Sequence, residues 1–113
     1  FNFATDTVEG LIALALCPEA EGEVVNIGSG EEWSIEQTVG LLMEITGRSA
    51  SIRCDQTRLR PEQSEVNRLL ADNRKIKSLT NWENRIHFRE GLVKTSEWID
   101  QNLKLFDLDR HTL

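Results

Sequence analysis

Apolar residues near the start of the chain recur at Val8, Leu11, Ile12, Ala15 and Leu16, the i, i+3, i+4, i+7, i+8 spacing of an amphipathic helix. Asp6 stands where a helix cap is expected, and Pro18 closes the pattern. Glu23 to Ile27 is β-branched and bounded by Gly22 and Gly28, which predicts a strand followed by a Gly28-Ser29-Gly30 turn. Ser34 and Gln37 have capping-box spacing. The helix behind them is expected to bury Ile35, Val39, Leu42 and Met43 and to end at Gly47. Residues 50–54 and 68–71 read as short extended pieces, with 55–67 irregular between them. Asn73 is placed to cap a short helix that buries Ile76 and Leu79. A last helix starts near His87, and its apolar stripe runs through Phe88, Leu92, Thr95, Ile99, Leu103 and Phe106, with Trp98 beside it. Three main helices with short strands predict a mixed α/β fold, residues 1–106, followed by a tail over 107–113.

With 113 residues the chain holds one domain at most. It has no apolar run of membrane-spanning length and no signal-peptide pattern. The net charge of −6 argues against a nucleic-acid partner. The charge is uneven, though. From Arg48 to Lys77 there are eight basic and four acidic residues, a net +4 that leaves −10 for the rest. A basic middle in an acidic chain suits a compact anion, whereas scattered surface salt bridges are the plainer account. Arg68 and Arg74 read as surface residues rather than ligands. Cys17 and Cys54 lack metal-ligand spacing and are expected as free thiols. No metal site is expected, and the acids Glu19, Glu21 and Glu23 read as solvated.

The stretch Arg58-Leu59-Arg60-Pro61-Glu62-Gln63-Ser64-Glu65-Val66, followed by Leu69-Leu70-Ala71-Asp72-Asn73, carries the chemistry. A guanidinium donates two parallel hydrogen bonds to one phosphate or carboxylate. Pro61 fixes its own φ and biases Arg60 toward extended backbone. A nearby carboxylate can accept hydrogen bonds from ribose hydroxyls. Together these groups read as a cradle for a nucleotide diphosphate.

The same run resembles the C-terminal substrate-binding portion of the extended short-chain dehydrogenase/reductases, the NAD-dependent epimerase/dehydratase family, and within it the nucleoside-diphosphate-sugar 4,6-dehydratases. Other motifs follow in the family's order: Phe1 to Gly10 with its Asp6, Val25-Asn26-Ile27-Gly28-Ser29-Gly30, Asn81-Trp82, then Glu90-Gly91-Leu92 and Glu97-Trp98. The resemblance spans about residues 1–105. Each motif alone is weak, and their order gives the likeness its weight.

The resemblance implies the small substrate-binding lobe of an NAD(P)-binding Rossmann-type enzyme. Arg60 would contact the diphosphate, with Arg58 as a second candidate, and Glu62 or Glu65 would take the ribose. Arg-Pro-Glu-Gln-Ser-Glu-Val is longer than the Arg-Pro-x-Glu form of some relatives, which leaves the choice of glutamate open. The parent would oxidise the sugar at C4 with NAD, eliminate water across C5 and C6 and return the hydride to C6; a 4-epimerase would return it to C4. The family's Tyr-x-x-x-Lys pair is missing, since the chain has no tyrosine. The dinucleotide fingerprint is missing too, because Trp33 occupies its third glycine position. No catalytic or cofactor-binding residue is therefore expected here, and the piece alone is expected to be inactive and unable to hold ligand. NAD would belong to an N-terminal Rossmann domain outside this chain, in a cytoplasmic, homodimeric parent. The rival of another class is an autonomous, non-catalytic binding or interaction module, which a start codon directly before Phe1 would favour.

Overall fold

The computed structural model describes residues 1–53 and 68–106. Four helices order them: α1 (Ala4–Ala15), α2 (Ile35–Thr46), α3 (Arg74–Leu79) and α4 (Phe88–Gln101). One-turn 3-10 helices at Pro18–Ala20 and Leu103–Leu105 follow α1 and α4. No strand is present among the described residues. Residues 23–27 and 68–71 lack a ladder partner there, and Val24 is 85 % exposed. A strand needs a neighbour for its N–H and C=O groups, whatever its side-chain preference.

The helix ends follow local chemistry. Ser34 Oγ accepts from the Gln37 N–H at 3.0 Å, while Gln37 Oε1 accepts from the Ser34 N–H at 2.8 Å, so the capping box of α2 is complete. Gly47 closes α2 with φ +65°, a left-handed conformation that a side chain would strain. His87 stands at the start of α4 without a side-chain capping bond.

Two expected caps serve other ends. Asp6 lies inside the first turn of α1, and Phe3 is the N-cap residue. The Asp6 carboxylate is buried, and its Oδ2 accepts from the Ile86 N–H at 3.0 Å. A backbone donor from the far end of the chain has claimed it. Asn73 precedes α3 but turns its amide away from it, donating from Nδ2 to the Gly28 carbonyl at 2.9 Å. Asp72 accepts from the first helical N–H, at Arg74, instead.

The core lies where α1, α3 and the loop over 80–86 meet. Ile76 is fully buried and Trp82 nearly so. Trp82 Nε1 donates to the Asp6 carbonyl at 2.8 Å, which gives the buried indole its partner. Gly10 lets the two layers close, because a Cβ there would lie 3.0 Å from Ile27 Cγ2 and 3.2 Å from Trp82 Nε1. The side of α1 that packs is thus the one carrying Asp6 and Gly10. The stripe predicted to be buried, from Val8 to Leu16, is exposed. α2 rests on α4 and is pinned to it by the Arg89–Glu44 ion pair at 2.8 Å. On α2, Val39, Leu42 and Met43 are half-buried, but Ile35 is exposed.

Candidate functional site

The predicted ligands Arg58, Arg60, Glu62 and Glu65 lie outside the described residues, as does Cys54. The turn that receives the chain immediately after them is described. Gly28 and Ala71 meet so closely that a Cβ on Gly28 would fall 2.5 Å from the Ala71 Cβ. The Asn73 amide abuts Gly30, 3.1 Å from where a Cβ would stand, and holds the Gly28 carbonyl. Arg68 grips Glu32 with both arms of its guanidinium, Nε to Oε1 at 3.0 Å and Nη2 to Oε2 at 2.6 Å. Residues 68–73 are therefore stitched to the turn 28–32 by one ion pair, one side-chain hydrogen bond and one tight van der Waals contact. The hydrogen bond from Arg68 is also what holds the Glu32 carboxyl below its ordinary pKa. Arg74 holds Asp72 in the same way, lowering it to about 2. Both arginines are exposed and paired, which fits a surface role.

The other flank of the turn is aromatic. Trp33 stacks on Phe88 with ring centres 4.7 Å apart, and Phe1 packs on the same ring at 5.1 Å. Ser29 Oγ donates to the Phe1 carbonyl at 3.1 Å. His87 Nδ1 lies 3.8 Å from Glu31 Oε1. A hollow of about 60 Å³ opens here among Phe1, Asn2, Ser29, His87 and Phe88. It is far smaller than the roughly 300–1,000 Å³ of an ordinary ligand pocket. A larger, mostly apolar groove of about 500 Å³ runs between α2 and α4, walled by Leu42, Ile45, Leu92, Ile99 and Leu103, with Arg48, Glu97 and Asp100 at its rim.

The turn does not fit a dinucleotide. A phosphate-binding turn needs bare backbone facing open space at the foot of a helix. Here Ala71 fills the space over Gly28, Asn73 covers Gly30, and the Trp33 ring is committed to Phe88. Among the described residues there is also no group of three metal-ligating side chains and no helix long and apolar enough to cross a membrane. Cys17 is a half-buried free thiol donating to the Leu79 carbonyl at 3.3 Å.

Sequence reasoning passed over Glu32 and gave Asn73 to the cap of α3, whereas these two side chains hold residues 68–73 to the turn. The pairing of Arg68 with Glu32 spans 36 positions, and no local pattern announces it. The one legible signal is size: Gly28 and Ala71 are the small residues a close backbone approach requires.

Comparison with known proteins gives a consistent set. The family model described as GDP-mannose 4,6 dehydratase matches residues 1–95. A UDP-glucuronate 4-epimerase of Thermodesulfobacterium geofontis is 33% identical over 106 residues, covering 93% of this chain and 31% of that protein. UDP-glucuronic acid decarboxylase 1 of Xenopus tropicalis is 32% identical, with 92% of this chain and 23% of that protein covered. An epimerase of the methanogen Methanothermobacter thermautotrophicus, known in three dimensions, superimposes with a TM-score of 0.81 at 35% identity, over 92% of this chain and 30% of that one. The chain thus spans about a third or less of the length of these relatives.

Proposed function

The chain belongs to the NAD-dependent epimerase/dehydratase family, and from that premise we propose that residues 1–106 are the nucleotide-sugar-binding lobe of an NAD-dependent NDP-sugar 4,6-dehydratase. The observation that carries this reading is the Arg58-Leu59-Arg60-Pro61 segment, standing in the family's motif order inside a net-basic stretch of an acidic chain. The match of residues 1–95 to the dehydratase model supports the reaction type. The relatives named as acting on UDP sugars support the substrate class.

In this reading Arg60 donates its fork to the diphosphate and Arg58 assists. Glu62 or Glu65 accepts from the ribose hydroxyls. Such contacts lie far from the reacting carbons. They act by fixing where the sugar sits, so that binding energy at the nucleotide is turned into orientation at the sugar. The Gly28-Ser29-Gly30 turn is covered by Ala71 and Asn73, and in this reading NAD binding and the proton transfers belong to a Rossmann-type portion, the partner of this lobe. In this reading the tail is residues 107–113, which lie outside the described residues.

A second reading has an observation of its own. The relatives from T. geofontis and M. thermautotrophicus are epimerases, which favours the same lobe in a 4-epimerase. Incubating the whole enzyme with UDP- and GDP-sugars separates the two: a 4-keto-6-deoxy product identifies the dehydratase, and an inverted C4 without net oxidation identifies the epimerase. The site itself is tested by titrating nucleotide sugar into Arg60→Ala. Loss of a hydrogen bond to a charged group is expected to weaken binding by about 1.5–3 kcal/mol. An unchanged affinity removes Arg60 from the site.

A further inference from the structure

α1 packs on one side and carries an apolar stripe on the opposite one. Projected at about 100° per residue, Asp6, Gly10, Leu14 and Cys17 fall on the side that meets the molecule, where Asp6 and Gly10 are buried and Leu14 and Cys17 half-buried. Val8, Leu11, Ile12, Ala15 and Leu16 fall on the other, and all five are exposed, Leu16 at 79 %. Scattered surface hydrophobes need no explanation, but a continuous stripe does. A helix packed on one side that keeps an apolar stripe on the other belongs between two layers. The described residues supply one of them, on the side where α1 meets α3, Trp82 and Ile86. The inner side is fixed by bonds to Trp82 and Ile86, so the helix cannot roll over to hide the stripe without breaking them.

We propose that the outer face of α1, from Val8 to Leu16, is the seat on which the nucleotide-binding portion of the enzyme packs. This rests on reading the chain as one lobe of a larger family member. The relatives carry more than twice this much additional chain, ample for a second layer. The stripe has no charged residue at its centre, so the surface that covers it must be apolar too. Glu9 at its margin is already engaged with Arg85 at 3.5 Å. The face thus has the character of an internal layer boundary rather than of a transient docking patch, whose rim is polar.

The test places single cysteines in the whole protein, Leu11→Cys and Ala15→Cys on the stripe and Glu36→Cys on the exposed start of α2 as reference. Alkylation is followed by peptide-resolved mass spectrometry, which separates the native Cys17 and Cys54. Ala15→Cys adds only a sulfur atom and stays informative if Leu11→Cys fails to fold. Both stripe thiols are expected to react about tenfold or more slowly than the reference, at a rate independent of protein concentration. Labelling as fast as the reference overturns the proposal. Protection lost on dilution overturns it as well, because the occupant is then a second copy. Titrating nucleotide sugar into the same protein keeps the two readings apart. A protected stripe without sugar binding refutes the substrate assignment alone, and sugar binding with an unprotected stripe refutes the docking face alone.

Discussion

The junction of α1, α3 and the 80–86 loop and the pairing of α2 with α4 are built on different principles. At the junction, Ile76, Trp82 and Asp6 are buried, and two hydrogen bonds between distant residues set the geometry. Between α2 and α4 no large side chain is buried; an apolar groove stays open, and a surface ion pair bridges it. The first region is specified by tertiary partners, the second by local helix chemistry. Amphipathic periodicity alone brings two helices side by side, but a unique close-packed contact needs residues such as Gly10 and Trp82 that answer each other across the chain.

The contrast is sharpest for side-chain truncation. Ile76→Ala is expected to cost about 2–5 kcal/mol in chemical denaturation, the range for a buried aliphatic side chain. Leu42→Ala, on the open groove wall, is expected to cost clearly less. Equal losses would erase the distinction. A smaller effect comes from Ser34→Ala, which leaves the α2 capping box without its hydroxyl and is expected to cost about 1 kcal/mol, recovered in part by Ser34→Asp. If α2 were held mainly by packing, the alanine change would go unnoticed.

The smallest effect is that of pH. The Arg74 guanidinium depresses the Asp72 carboxyl to about 2, and Arg68 lowers that of Glu32. Since the folded values lie below the unfolded ones, each pair's contribution is fully present above the ordinary carboxylate range. It is lost as the pH falls through the folded value, near 2 for Asp72. Both pairs are exposed, so the change in stability is slight. It is best seen by NMR titration of the two carboxyls, where an Asp72 midpoint near 4 would show that the pair does not form in solution.

Both ends of α2 and the end of α1 were legible in the sequence because their causes are local. Ser34 with Gln37, the glycine at 47 and the proline at 18 act within a few residues. Ile76 was legible as core for the same reason. The inner face of α1 was not. Periodicity selects the most apolar side of a helix, and that side carries Val8 to Leu16, whereas the packed side is marked by an aspartate whose partner Ile86 lies 80 positions away and by a glycine closed on by Ile27 and Trp82. The strand expected at 23–27 has the right residues but no ladder partner among the described ones, and a sequence cannot supply a neighbour. At the candidate site, the arginine-proline segment was visible as chemistry. The clasp that follows it, Arg68 on Glu32 and Asn73 on Gly28, was not, since both depend on a turn folded back from an earlier part of the chain.

The indole of Trp82 reaches a carbonyl 76 residues earlier, and that separation sets an order of events during synthesis. Translation at about 5–20 residues per second leaves the first helix waiting roughly 4–15 s on the ribosome before its tryptophan is made. Throughout that interval its inner side lacks the indole it will close on, which makes this short segment a natural place for a chaperone to bind the nascent chain.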